Sequence, residues 1–161
     1  MLLGNGDRDG AEAEYRESIR LNSFQPDAHF NLGVVLREKK DLLGAEAAHR
    51  AAIRVDPSHA PAHNGLGNTL RDKGDLPAAI ASYREAIRVR PAFAFAHNNL
   101  GIALAMKGDY DDAIASFKNA LRHDPKNPGS QANLDKTLRM KAARDAKATP
   151  RELAPPPRPV K

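Results

Sequence analysis

One feature restricts this 161-residue chain more than any other: it repeats itself every 34 residues. Leu32-Gly33, Leu66-Gly67 and Leu100-Gly101 share one register, and Ala45, Ala79 and Ala113 keep the same step. So do Ala52, Ala86 and Ala120, then Pro57, Pro91 and Pro125, and finally Asp41, Asp75 and Asp109. A repeat of this length is one supersecondary unit that cannot bury its apolar face alone. Neighbouring copies must stack to make a continuous core, so the chain reads as a short array.

Each copy reads as two helices. From Ala62 to Lys73, Leu66 and Leu70 stand four apart on one helical face. Gly74-Asp75 then breaks the pattern, and the Asp75 carboxylate can accept from the free amides of the next first turn. Pro77 lies within that turn, where a missing N–H costs little. The second helix runs to about Val89, with Ala79, Tyr83, Ala86 and Ile87 on its apolar side, and Pro91 prevents continuation. Asp111 and Asp112 place negative charge at the corresponding helix start of the third copy. Gly33, Gly67 and Gly101 fall in helix interiors, where each costs about 1 kcal/mol against Ala. Close approach of the paired helix, with Ala45, Ala79 and Ala113 facing them, is the expected compensation. Standing 34 residues apart, these glycines do not make a phosphate loop.

Leu66-Gly67-x-x-Leu70, Ala79-x-x-x-Tyr83, Ala86 and Pro91 resemble the tetratricopeptide repeat. The resemblance implies an all-α, right-handed solenoid of antiparallel helix pairs. Complete copies are expected at 26–59, 60–93 and 94–127, preceded by a truncated copy over 1–25 that is mainly a second helix. Met1 falls within an opening helix, which reads as a cut from a longer array. Residues 128–147 resemble one more opening helix, with Leu134 and Leu138 in place but Asp135 at the glycine position. No second helix need pack there, as expected of a polar cap.

Composition closes off several classes of function. The chain has no Cys, which removes disulfides, thiolate metal sites and a cysteine nucleophile. No apolar run approaches the roughly 20 residues that span a bilayer. The start, Met1-Leu2-Leu3-Gly4, lacks the basic and apolar blocks of a secretory signal, so a cytoplasmic protein is expected. The net charge of +5 divides unevenly: residues 1–135 carry 17 Lys+Arg against 18 Asp+Glu, and 136–161 carry 8 against 2. The repeats are thus nearly neutral, and a basic balance confined to the end is no sign that they bind nucleic acid.

No catalytic constellation is present. Ser18, Ser82 and Ser116 lack a base and its orienting partner, and the adjacent Asp111 and Asp112 point in different directions. His29, His63 and His97 hold one position of each repeat. Helices pack about 8–10 Å apart, too far for neighbouring copies to share a zinc ion with Zn–N near 2 Å. The family has an aromatic residue there, which implies that these rings fill a packing position. Neither residues nor resemblance imply a metal or a cofactor.

The resemblance does imply a binding face, because the opening helices of this family line the concave side. Steps of four give Phe30-Val34, Asn64-Asn68, Asn98-Ile102 and Ala132-Lys136 as successive stripes. Asn31, Asn99 and Asn133 share the neighbouring position, where the second copy has Gly65. An Asn amide both donates and accepts, so it can bond a peptide backbone without reading side chains. A tolerated polar residue in a solvated groove is the alternative. The chaperone-tail clamp of this family grips a terminal carboxylate with Lys, Arg and Asn. Asn68 and Asn99 match its Asn positions, but Asn64, Gly129 and Asn133 stand where its cations belong, so that grip is not expected.

Ala96-His97-Asn98-Asn99-Leu100-Gly101 and Tyr83-Arg84-Glu85-Ala86-Ile87-Arg88 are similar to repeats of O-linked N-acetylglucosamine transferases and bacterial repeat scaffolds. In those transferases an Asn ladder holds the protein substrate. Beyond Ala148, Pro156-x-x-Pro159-x-Lys161 has the form of an SH3-domain ligand within a proline-rich, disordered segment. Lys136, Arg139, Lys141, Arg144 and Lys147 could meet acidic proteins, RNA or anionic lipid. The reading is a non-catalytic scaffold that binds another protein in its concave groove. A detached recognition arm of a larger glycosyltransferase, and a basic-tailed RNA or membrane-surface adaptor, are the alternatives.

Overall fold

The computed structural model describes residues 7–148; the SH3-like segment lies outside them. Eight helices follow one another, with no strand among the described residues: α1 (Arg8–Leu21), α2 (Pro26–Glu38), α3 (Leu42–Val55), α4 (Ala60–Asp72), α5 (Leu76–Val89), α6 (Ala94–Lys107), α7 (Tyr110–His123) and α8 (Pro128–Ala148). The start signals work as the residues suggested. Asp7, Asp41 and Asp75 accept from the amides of Gly10, Gly44 and Ala78 at 2.7, 2.9 and 3.1 Å. Asp109 departs from the series: its side chain does not cap α7 and is bonded by Lys107 Nζ at 2.7 Å. The turns within the three pairs need a left-handed residue. Gly74 and Gly108 supply it at φ 86° and 92°, but the first pair places Lys40 there at φ 66°.

The helices form an all-α solenoid of antiparallel pairs. α2 packs on α3, α4 on α5 and α6 on α7, and α1 and α8 cover the two ends. The curvature has a sense that the contacts reveal. α2 touches α4, α4 touches α6 and α6 touches α8, but α3, α5 and α7 do not touch one another. The even-numbered helices are therefore the inner row and the odd-numbered ones the outer row.

One core of Leu66, Leu70, Ile80, Tyr83, Leu100, Leu104, Phe117 and Leu134 runs through the later pairs, and a smaller one around Leu32 and Leu36 lies beneath Tyr15 and Ile19. The helix-interior glycines turn out to admit rings. A Cβ on Gly67 would sit 2.5 Å from the Tyr83 ring, one on Gly101 2.6 Å from the Phe117 ring, and one on Gly33 against His49. The sequence expectation set the small Ala45, Ala79 and Ala113 on the paired helix; the atoms nearest to each glycine belong to a ring. Those alanines are fully buried, but the glycine makes room for the ring four residues further along the paired helix.

Candidate functional site

Register places the inner-row side chains. Phe30-Val34-Arg37, Asn64-Asn68-Arg71, Asn98-Ile102-Ala105 and Ala132-Lys136-Arg139 each follow i, i+4, i+7 on one helical face. The asparagines on and beside these stripes bond first to each other. Asn99 Nδ2 donates to Asn64 Oδ1 at 3.0 Å, joining α6 to α4. Asn133 Nδ2 donates to Asn98 Oδ1 at 3.1 Å, joining α8 to α6, and the buried Ser130 hydroxyl donates to the same oxygen at 3.2 Å. Asn68 Oδ1 accepts from the Tyr83 hydroxyl at 2.9 Å. Burial pushes the Tyr83 pKa up to about 12, so this phenol stays a neutral donor. An amide has two N–H donors and an oxygen with two lone pairs. After these bonds the Asn64 and Asn98 side-chain N–H groups, and the Asn99 and Asn133 side-chain oxygens, make no hydrogen bond among the described residues. Asn31 lies in the same row half-buried beside Val34, and makes no side-chain hydrogen bond among the described residues.

The first joint is built differently. Where an asparagine bridge would run from position 30 to position 65, the chain has Phe30 and Gly65. His49 fills the gap, with its Nε2 2.6 Å from where a Gly65 Cβ would sit. Phe30 stacks on it with ring centroids 5.8 Å apart and planes 25° from parallel. His49 is wholly buried, and both ring nitrogens lack a partner. Burial first, then the nearby Arg37 and His59, hold its pKa down at about 4. Gly65 thus interrupts the amide ladder because the ring beneath it takes the space.

At the other end, Ile102, Ala105 and Met106 of α6 face Asn133, Lys136, Thr137 and Met140 of α8 across a groove of about 120 Å³ floored by Phe117. Met106 is 59% exposed and Met140 37%, unusual for such apolar side chains. Ile102 and Asn133, both singled out from sequence, meet here; Phe30 and Val34 lie at the far end on α2.

Sequence reasoning missed Arg37, Arg71 and Asp72. Arg37 Nη1 bonds Asp72 Oδ2 at 3.2 Å, and Arg71 approaches the other carboxylate oxygen only to 3.7 Å. Arg71 lies three residues beyond Asn68 on one face of α4, and the charges of all three reach the Tyr83 hydroxyl that donates to Asn68. Arg37 and Arg71 are themselves 34 apart, so the repeat register was the available signal.

Two other groups have structural partners. His29, His63 and His97 each set Nε2 against the carbonyl six residues back, at Ser23, Pro57 and Pro91, at 3.0, 2.9 and 2.8 Å. These rings tie each opening helix to the turn before it. On α8, Lys141 pairs with Asp111, and the Arg144 guanidinium lies 5.0 Å over the Tyr110 ring. Two of the five cations considered for an acidic surface thus hold α8 against α7. No described helix is long and apolar enough to cross a membrane.

The sequence profile of the tetratricopeptide repeat matches residues 2–60, 42–92 and 64–128, most of the chain. The chain belongs to the tetratricopeptide-repeat family. Among solved structures it is similar to MamA, with TM-score 0.76 at 22% identity over 87% of this chain and 82% of that one. It is also similar to the first TPR of Spaghetti (RPAP3) bound to the HSP90 peptide SRMEEVD, with TM-score 0.70 at 14% identity over 73% and 93% of the two chains. These likenesses describe the fold. A search of curated proteins found no match.

Proposed function

We propose that this chain is a non-catalytic protein-interaction scaffold whose inner row binds an extended peptide or a partner helix. The observation that carries the reading is the groove between α6 and α8. Exposed Met106 and Met140 flank it, and Asn133 in its lining bonds Asn98 of α6, whose neighbour Asn99 bonds Asn64 of α4. Apolar surface lined by a few placed polar groups is what a peptide site requires. The cross-repeat amide bonds hold those groups still, which lowers the ordering cost of binding. The Spaghetti structure, which contains a bound peptide, supports such a use of this fold. The chaperone-tail clamp is not part of the proposal, because Asn64, Gly129 and Asn133 supply no charge.

Substitution on the two rows tests the reading. Ile102→Lys should weaken binding of the chain's protein partner by about tenfold or more, since one buried apolar side chain contributes roughly 1.5–3 kcal/mol. Arg84→Glu on the exposed side of α5 should leave it unchanged. Equal effects from both would move the binding face off the groove.

A further inference from the structure

Arg37 and Arg71 share one carboxylate. Asp72 bonds Arg37 at 3.2 Å, and Arg71, at 3.7 Å from the same group, makes no hydrogen bond with it. The Arg71 side chain is only 20% exposed and donates no side-chain hydrogen bond among the described residues. The cluster carries a surplus of one positive charge. Arg71 stands three residues beyond Asn68, and both arginines take the i+7 place of their stripes, on the same helical face as the groove residues. A guanidinium presents a planar fork matched to a carboxylate. The far end of the same row is apolar, at Met106 and Met140.

We propose that Arg37 and Arg71 form a carboxylate-binding subsite of the groove, and that its ligand is an extended, acidic and apolar peptide. A Glu or Asp side chain pairs with Arg71 and competes with Asp72 for Arg37. An apolar side chain of the same peptide enters the space between α6 and α8. Adjacent helices lie about 9 Å apart, so the one and a half spacings from α4 to the middle of the α6–α8 groove are roughly 14 Å. Extended chain covers about 3.3 Å per residue, which sets the acidic and apolar residues about four apart. This subsite rests on the groove reading and adds the chemistry of the partner.

The test is panning of a random dodecapeptide phage library against the intact chain, followed by titration of the enriched peptides. The proposal expects Asp or Glu about four residues from Leu, Ile, Met or Phe. Replacing the peptide's acid by its amide should weaken binding about tenfold, the scale of a charge-assisted hydrogen bond. Arg71→Gln should weaken it similarly and abolish the difference between acid and amide. Asp72→Asn should tighten binding severalfold, because the competing carboxylate is gone. A gain cannot come from misfolding, so this variant decides the matter even if Arg71→Gln loses helix content by circular dichroism. Enriched peptides without an acid, indifferent to both variants but displaced by Met140→Lys, would overturn the subsite and leave the groove reading standing. A panel with no enrichment would overturn both.

Discussion

Replacing His49 by Phe should make this protein more stable, and by more in acid than at neutral pH. His49 is fully buried between Gly33 and Gly65, and neither ring nitrogen has a partner. Each buried unmet polar atom costs about 1–3 kcal/mol, so at neutral pH a gain of about 2 kcal/mol or more is expected. Phe fits because Phe117 already occupies the matching place over Gly101. The acid component follows from linkage. The folded His49 pKa is held down at about 4, below the ordinary 6.5. Between those values the unfolded chain takes up a proton that the folded chain refuses, so stability is lost as pH falls from about 6.5 towards 4. At 1.36 kcal/mol per unit, moving from pH 7.5 to pH 5 costs about 2 kcal/mol through this residue. Urea unfolding followed by circular dichroism at both pH values, on the native chain and His49→Phe, isolates the contribution by double difference. A variant with the native pH slope, or one less stable at neutral pH, would refute the reasoning.

Gly67→Leu should cost about 3 kcal/mol or more, because its side chain must displace the buried Tyr83 ring; an unchanged thermal midpoint would show that the ring can yield. Lys40→Gly should raise the midpoint by a few degrees, since it relieves a left-handed lysine that costs roughly 1–2 kcal/mol, less the extra entropy glycine loses on folding. Asn98→Ala should destabilise by about 1–3 kcal/mol in urea unfolding, because Ser130 and Asn133 both lose their acceptor.

The last of these marks where the sequence stopped being legible. Repeat length, helix pairs and the Asp75 cap were readable because local periodicity and backbone chemistry determine them. The inner row was readable through the resemblance. Which atoms satisfy each other across the rows was not, since Asn64–Asn99 and Asn98–Asn133 join residues 35 apart through the spacing of stacked helices. Helix preference alone would accept Ala at Asn68 and Asn98; in the structure Asn68 receives the Tyr83 hydroxyl and Asn98 holds α8. The register also aligned His49 with Tyr83 and Phe117, but only packing reveals that this ring is orphaned and that Gly65 is absent of a side chain on its account.

The central claim is that ligands bind the inner row. Amide chemical shifts of the isotope-labelled chain, followed during titration with a peptide enriched from the library, test it most directly. Shifts concentrated on α4, α6 and α8, with those around Ile102, Asn133 and Met140 among the largest, are the predicted result. Shifts confined to the exposed faces of α3, α5 and α7 would contradict the account.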